Sequence, residues 1–511
     1  MSHARFSLPL LALWAASACG TPAPEATQPR VPPMSVFSAA SAPSAEPAAP
    51  QDALGPRPGT PLSAVFAPNA PVVFEHSTGL RVWLLERHTL PVVAMQFVVP
   101  FGSASDPAGK EGTAYITAGM LDEGAGRYGA LELSQAVDLL GAELHTQAFT
   151  DYSTVSLFTL KKNAQPAAAL LGDVVTKPRF LPVEYKRVKD LWLGDLGNKA
   201  KDAVSVAARA ELRLLFGAEH AYGHPVDGTK ESATKVQLAD VTSFYKQHYR
   251  PDIASVVIVG DVTRKEAENL LDTAFGGFRA PPTPAPTPLT PPRVAYATRR
   301  VVLIDKPAAP QSVISLVVPG VAASDADAAV LSRVNAAIGG SFTSRLNQHL
   351  REDKGWTYGA KSRFSFSRSA GLFSAGASVV ADKTADALKV LEEDVRTYAA
   401  QGPTAEEVDK TRLLSRADLV EVFESASGAA SRLARNAGVG LSPDTEGVNA
   451  KRRDEASGAE LARLAQAYLK APPLFVVVGP RSSVEPQLRA AGYTDLIVES
   501  SSSPPSKGGR P

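Results

Sequence analysis

The sequence predicts an α+β fold built from two homologous domains. "LVVPGVAASDADA" (316–328) repeats the pattern of "FVVPFGSASDPAG" (97–109), with an offset of 219 taken at the prolines (319 − 100). "FVVVGP" (475–480) repeats "VVIVGD" (256–261), again with an offset of 219, taken at the glycines (479 − 260). Two separate matches at one offset indicate a duplicated domain of about that length. The proline-rich segment 279–293 lies between the copies and predicts an extended, semi-rigid linker.

Segments of two kinds alternate within the first repeat. Runs rich in β-branched residues and bounded by turn residues predict strands. Runs with apolar residues three and four positions apart predict helices. The predicted strands are 80–87, 91–102, 152–160 and 254–262, and the predicted helices are 130–142, 181–200 and 264–278. Because the predicted strands and helices occur in mixed order and are joined by short links, we expect each domain to form a largely antiparallel sheet covered by helices.

The segment 1–63 predicts an export signal and a tether. Arg5 precedes an apolar stretch that ends in Ala-Ser-Ala before Cys19, which predicts a signal peptide over residues 1–18. This pattern resembles the lipobox of bacterial lipoproteins, and the resemblance implies that Cys19 carries lipid. Residues 19–63 are mostly Pro, Ala, Ser, Thr and Gly, too few apolar side chains for a core, and predict a disordered tether. That composition also disfavours a buried first helix.

The predicted organisation therefore has six segments. They are the signal peptide 1–18, the tether 19–63, a first domain 64–278, the linker 279–293, a second domain 294–493 and a disordered tail 494–511.

Composition excludes several classes of function. A net charge of +1 without a basic run gives no electrostatic basis for binding nucleic acid. No apolar run after residue 20 is long enough to predict a transmembrane helix. Cys19 is the only cysteine, so no internal disulfide is possible.

Four segments, in order and at matching spacing, carry a family resemblance. They are "GLRVWLLERHTLPVVAMQFVVPFGSASDPAGKEGTAY" (79–115), "AYGHPVDGTKES" (221–232), "YKQHYRPDIASVVIVGDV" (245–262) and "IGGSFTSRLNQHLREDKGWTYGA" (338–360). Residues 70–490 resemble the pitrilysin/insulinase-like zinc peptidases, of the two-domain, processing-peptidase-like type. The resemblance implies two homologous α+β domains that form half of a clamshell, and two such halves enclose a chamber for peptides or unfolded segments.

The helix expected to carry the chemistry has lost its motif. In active members an H-x-x-E-H helix supplies two zinc ligands and a general base. The resemblance places these positions on Tyr115, Ala118 and Gly119 of "GTAYITAGMLDEG" (112–124), so both histidines and the glutamate are missing. Asp195 follows Gly119 at a spacing of 76 (195 − 119), near the expected third ligand. It is either a relic ligand or an ordinary helix-surface residue. We expect no metal in this chain.

The histidines suggest no other metal site. His220 and His224 are four residues apart, but Gly223 and Pro225 disfavour a regular helix and no acidic residue completes a ligand set. The other histidines are scattered singly.

The second domain keeps the family's Arg/Tyr pair at Arg351 and Tyr358. The resemblance implies that this pair reaches substrate across the chamber. A guanidinium can donate to a peptide carbonyl or carboxylate, and a tyrosine hydroxyl can donate to a developing oxyanion. The alternative is a solvated helix residue and a strand-surface aromatic. Arg345, just upstream, is interpreted as a structural helix residue.

The favoured hypothesis is a non-catalytic lipoprotein subunit of an insulinase-like zinc peptidase. It would pair with a homologous chain that carries H-x-x-E-H and zinc, and contribute Arg351 and Tyr358 to peptide proteolysis. Its expected place is the bacterial cell envelope, lipid-anchored and facing the periplasm, on the outer membrane. One alternative is a structural or peptide-binding member without an enzymatic partner. Another is a zinc endopeptidase in its own right.

Overall fold

The computed structural model describes residues 65–291, 299–307 and 309–500. Cys19, the predicted signal peptide and the predicted tether lie outside the described residues. Within the described part of the chain, no helix is both long and apolar enough to cross a membrane.

The first half of the described chain forms a six-stranded sheet with helices. The strands of this half are β1 Val72–Glu75, β2 Arg81–Glu86, β3 Val92–Val99, β4 Gly124–Ala125, β5 Tyr128–Gly129, β6 Glu143–Ala148, β7 Ser153–Leu160 and β8 Ser255–Gly260. Its helices are α1 Thr113–Gly119, α2 Ala130–Leu139, α3 Ala164–Thr176, α4 Pro182–Lys199, α5 Ala203–Phe216, α6 Lys230–Lys235, α7 Leu238–His248 and α8 Arg264–Phe275. The sheet order is β1-β2-β8-β3-β7-β6, and β4 and β5 form a separate small hairpin.

The second half repeats this plan. Its strands are β9 Arg300–Asp305, β10 Gln311–Gly320, β11 Ala360–Phe366, β12 Gly371–Val380, β13 Leu474–Gly479 and β14 Leu496–Ser500. Its helices are α9 Ala328–Ile338, α10 Arg345–Asn347 with a π-helical turn Gln348–Asp353, α11 Thr384–Gln401, α12 Ala405–Glu424, α13 Ala426–Val439, α14 Thr445–Glu455, α15 Gly458–Leu469 and α16 Arg481–Ala490. The sheet order is β11-β12-β10-β13-β9-β14.

The two sheets confirm the predicted α+β class. The first residues of β2 and β9 differ by the same offset of 219 (300 − 81), as do those of β8 and β13 (474 − 255), and each pair holds the same place in its sheet. Most neighbouring strands are antiparallel, whereas β2 with β8 and β13 with β9 are parallel. One edge differs, because β1 pairs antiparallel with β2 but β14 pairs parallel with β9. β14 thus forms from residues that the sequence assigned to the tail.

Helix starts follow local side-chain chemistry. At α8, the Thr263 backbone N–H donates to Glu266 Oε2 at 2.8 Å, and the Glu266 N–H donates to the Thr263 hydroxyl at 3.3 Å. Such a reciprocal cap satisfies amides that the first helical turn cannot pair. Thr404 and Glu407 repeat the arrangement at α12.

Each sheet is buried on both faces, one by helices of its own half and the other by a helix of the opposite half. Val256 and Ile258 of β8 pack in a core with α3 and α8. The alternate residues Val257 and Val259 pack against α13 of the second half. In return, α5 of the first half packs on Val302 of β9 and Val476 of β13. Burial on both faces explains why these strands read as continuous apolar runs.

Candidate functional site

Helix α1 begins at a tightly built turn. The half-buried Asp106 carboxylate accepts hydrogen bonds from the Gly112 N–H at 2.6 Å and the Ala114 N–H at 2.7 Å. Gly112 has φ +97°, and a Cβ there would lie 2.4 Å from the Trp192 ring and 3.0 Å from the Asp227 carbonyl oxygen. Only glycine fits this conformation and space. The turn therefore sets the position of α1 against α4.

Tyr115, Ala118 and Gly119 line one cleft of about 740 Å³, which we call the α1 cleft. It lies between α1, the edge strand β6, helices α4 and α5 and the loop 225–227. Asp195 of α4 lines it too, together with Arg363 from β11 of the second half. The structure thus brings the degenerate motif positions and Asp195 to one place.

The residues of the α1 cleft do not fit zinc. Ala118 offers no donor, and a Cβ built at Gly119 meets nothing within 4 Å. The Tyr115 ring packs against Trp192, with centroids 5.9 Å apart, and burial raises the pKa of the Tyr115 hydroxyl. A protonated phenol is a poor zinc ligand. Within residues 65–291, 299–307 and 309–500, no group of three or more His, Cys, Asp or Glu is placed to hold a metal ion.

A row of alternating charges occupies one wall of the cleft. Lys199 Nζ lies 2.6 Å from Asp195 Oδ2 and 2.9 Å from Asp227 Oδ2. Arg209 Nη2 lies 2.6 Å from the same Asp227 oxygen. Burial opposes the charge of Lys199, but the hydrogen bonds to Asp195 and Asp227 outweigh it and raise its pKa. The two cations and two carboxylates balance one another.

Sequence reasoning missed Lys199, Arg209, Asp227 and Arg363. The i,i+4 spacing of Asp195 and Lys199 was a visible signal for an ion pair on a helix. Nothing local in the sequence connects Asp227 or Arg363 with that pair, because only the fold brings their loop and strand to the cleft.

Arg351 and Tyr358 do not line the α1 cleft. The Arg351 guanidinium lies 4.2 Å from the centroid of the Phe342 ring and its Nε lies 3.6 Å from Glu352. Tyr358 precedes β11 in a loop, rather than on a strand, and is 94% exposed. Both side chains are therefore presented on the surface of the second half.

Arg345 and the His220/His224 pair have structural contacts. Arg345 Nε and Nη2 each lie 2.6 Å from a Glu407 carboxylate oxygen. His220 stacks on Phe216 and accepts from the Tyr222 N–H at 3.0 Å, within irregular turns. Burial lowers the pKa of His224, so its ring is neutral near pH 7.

Two family models match the chain. The model of insulinase, peptidase family M16, matches residues 81–210, and the model of the peptidase M16 inactive domain matches residues 235–414. The chain belongs to the insulinase-like peptidase family M16. Its resemblance to this family, first carried by the four sequence segments, is thus confirmed.

Relatives of this M16 chain include bacterial proteins described as zinc proteases. One from Mycobacterium leprae is 27% identical over 70% of this chain and 80% of its own length. One from Bacillus subtilis is 22% identical over 70% of this chain and 86% of its own length.

Solved structures share the fold of this M16 chain. A peptidase M16 inactive domain from Pseudomonas fluorescens superposes with a TM-score of 0.74 at 24% identity, over 80% of this chain and 98% of that one. A protease from Helicobacter pylori superposes with a TM-score of 0.73 at 19% identity, over 80% of this chain and 100% of that one. The two-domain half of a clamshell is therefore the fold of this chain.

Proposed function

We propose that this chain is a non-catalytic subunit of an insulinase-like zinc peptidase. It binds an extended peptide in the α1 cleft and pairs with a homologous chain that carries H-x-x-E-H and zinc. The observation that carries the proposal is the contrast within the cleft. Its space of about 740 Å³ is open, whereas Tyr115, Ala118 and Gly119 supply no metal donors.

The walls of the α1 cleft suit a peptide backbone. β6 is the edge strand of the described first sheet, and its Thr146 and Gln147 line the cleft. An extended peptide can add to such an edge by main-chain hydrogen bonds. Val188, Leu191 and Leu212 give the cleft apolar surface for alternate peptide side chains. Binding without cleavage follows, because Tyr115, Ala118 and Gly119 supply neither the zinc ligands nor the general base that activate water in active members.

The half-buried Arg351 and the exposed Tyr358 support a role in the partner's site. A side chain that lies on the surface and outside its own cleft is free to reach another chain. There, Arg351 would hold the peptide through its donor fork. Tyr358, which is 94% exposed, would donate to the oxyanion that forms as zinc-bound water attacks.

We propose that Cys19 carries lipid and holds the protein on the bacterial outer membrane, facing the periplasm. Stable anchoring needs more than one acyl chain, which a mature lipoprotein provides. Cys19→Ala should move the protein from the membrane fraction to the soluble fraction. Retention of the alanine variant in membranes would contradict this attachment.

The test of the in-trans role uses the mixed complex. The tagged chain is purified from its own envelope with the chain that copurifies, and peptide turnover is measured. Tyr358→Phe should lower turnover by about 10²–10³-fold, the usual cost of one oxyanion donor, with assembly and zinc content unchanged. Arg351→Ala should act more on substrate affinity.

Tyr128→Phe is the matched control, since Tyr128 lies in the first half, where its hydroxyl accepts a hydrogen bond from Arg127. It should leave turnover unchanged. If a stable complex forms and both site variants keep full activity, the in-trans role is wrong. If no M16 partner copurifies with this chain, the chain acts as a structural or peptide-binding protein instead.

A further inference from the structure

A lysine contacts Asp195, the residue that the resemblance places near the third metal ligand. Lys199 lies one turn after Asp195 on α4, and its Nζ contacts Asp195 and Asp227 at 2.6 and 2.9 Å. We propose that the Lys199 ammonium replaces the metal as the cation of the α1 cleft, and that it keeps divalent metal ions out. This inference goes beyond the proposed function, because it concerns the isolated chain and needs no partner.

The carboxylates explain why a cation is needed. Asp195 and Asp227 both approach Lys199 Nζ, and Arg209 supplies the second positive charge at 2.6 Å from Asp227. Two carboxylates that share a site repel each other unless a cation lies between them. In this chain a covalently attached ammonium meets that need permanently.

Lys199 also lines the same cleft as the first motif position. Tyr115, Asp195, Lys199 and Asp227 all line the same cleft. Burial raises the pKa of Tyr115, while the charge of Lys199 acts on the hydroxyl in the opposite direction. An ammonium 2.6 Å from the Asp195 carboxylate would repel a divalent cation bound at positions 115, 119 and 195. Restoring the three motif residues alone should therefore not restore tight zinc binding.

The test compares zinc binding by variants of the full mature chain. Tyr115→His/Ala118→Glu/Gly119→His restores the motif, and a fourth substitution, Lys199→Ala, removes the ammonium. We expect the fourfold variant to bind zinc at least tenfold more tightly than the threefold variant in titration calorimetry, with elemental analysis as a second readout. Wild type should hold well under one zinc per molecule after zinc loading.

Lys186→Ala is the matched control. Lys186 forms an i,i+4 ion pair of 2.6 Å with Asp190 on the same helix, and neither residue lines the cleft. Added to the threefold variant, it should leave zinc affinity unchanged. Equal zinc affinity with and without Lys199 would overturn the proposal.

A second comparison covers the case in which the fourfold variant does not fold. Gly119→His adds a side chain where a Cβ meets nothing within 4 Å, so the helix can accept it. Combined with Lys199→Ala, it should bind zinc at least tenfold more tightly than Gly119→His alone. Lys199→Arg, which keeps the positive charge, should not raise the affinity. If Lys199→Ala has no effect here, or if Lys199→Arg has the same effect, Lys199 does not exclude the metal.

Discussion

At the scale of single residues, the charged side chains of the α1 cleft form ion pairs with one another. Lys199 and Arg209 each contact Asp227, and Tyr115 lies half-buried against Trp192. The desolvation cost of these charges is limited because the Lys199 and Asp195 side chains remain 37% and 46% exposed. The wall that carries Lys199, Arg209, Asp195 and Asp227 thus has balanced charge.

His248 should make the stability of the chain depend on pH. Its ring is stacked on Phe101, with centroids 4.2 Å apart, and burial lowers its pKa to about 4. In the unfolded chain the imidazole ring takes up a proton near pH 6.5, whereas in the folded chain burial disfavours the protonated ring. The contribution of the neutral His248 ring to the free energy of unfolding is therefore fully present above pH 6.5 and is lost as pH falls towards 4. Urea unfolding at pH 7 and pH 4.5 should show a loss of about 2–3 kcal/mol from this group.

His248→Phe provides the comparison for that prediction. Phenylalanine has a similar shape and no titratable group, so the variant should lose less stability between pH 7 and pH 4.5 than wild type. If both proteins lose the same amount, the acid sensitivity comes from other groups.

At the scale of elements, α5 and α13 hold the two halves together because each packs on the sheet of the opposite half. Each helix belongs to one half and covers the sheet of the other. Small residues on their contact faces, such as Ala207 and Ala434, allow the helix axis to approach the sheet closely. Each helix therefore buries an apolar face of the opposite sheet, and this burial stabilises the contact between the halves.

Gly438→Ala should destabilise this contact. A Cβ at Gly438 of α13 would lie 2.4 Å from Tyr152 Cγ and 2.7 Å from Tyr152 Cβ, so the buried ring must move. Overpacking of this kind costs about 1–3 kcal/mol, which chemical unfolding would measure. Gly197→Ala is the control on α4, because a Cβ there meets nothing within 4 Å. It should stabilise the chain by up to about 1 kcal/mol, and a loss at both positions would contradict the argument.

At the scale of the whole molecule, a buried polar cluster joins the halves. The Asp151 carboxylate accepts from the Tyr222 hydroxyl at 2.8 Å and from the Arg368 N–H at 2.7 Å. Arg368 Nη2 donates to the carbonyl oxygens of Pro100, Asp151 and Gly438. One guanidinium thereby connects both halves, and each carbonyl accepts a hydrogen bond from it.

Arg368→Ala should loosen the two halves. It leaves three carbonyl oxygens without this donor, and each unsatisfied buried group costs about 1–3 kcal/mol. Calorimetry should show a lower melting temperature and a broader transition, since the halves lose part of their coupling. Lys361→Ala, at an exposed position of β11, should melt like wild type. A sharp wild-type transition in the Arg368 variant would show that the apolar contacts of α5 and α13 alone couple the halves.

Much of the fold was predictable because its signals are local or repeated. The offset of 219 between matching segments predicted the duplication that β2 and β9 display (300 − 81). The apolar period predicted α8, which begins at Arg264 as expected. β14 was missed, because the run Leu496–Ser500 becomes a strand only by pairing with β9. A short run of this kind has no local feature that separates it from a tail.

The sequence by itself determined the repeated α+β plan and the family, and it has Tyr115, Ala118 and Gly119 where the resemblance implies two zinc ligands and a general base. Each of these depends on residue identity and spacing along the chain. The tertiary structure alone decided that Asp195 faces the α1 cleft, that Lys199 bridges it to Asp227, and that Arg351 and Tyr358 lie outside that cleft. Contacts between distant segments depend on how sheets and helices pack, and no local pattern encodes them.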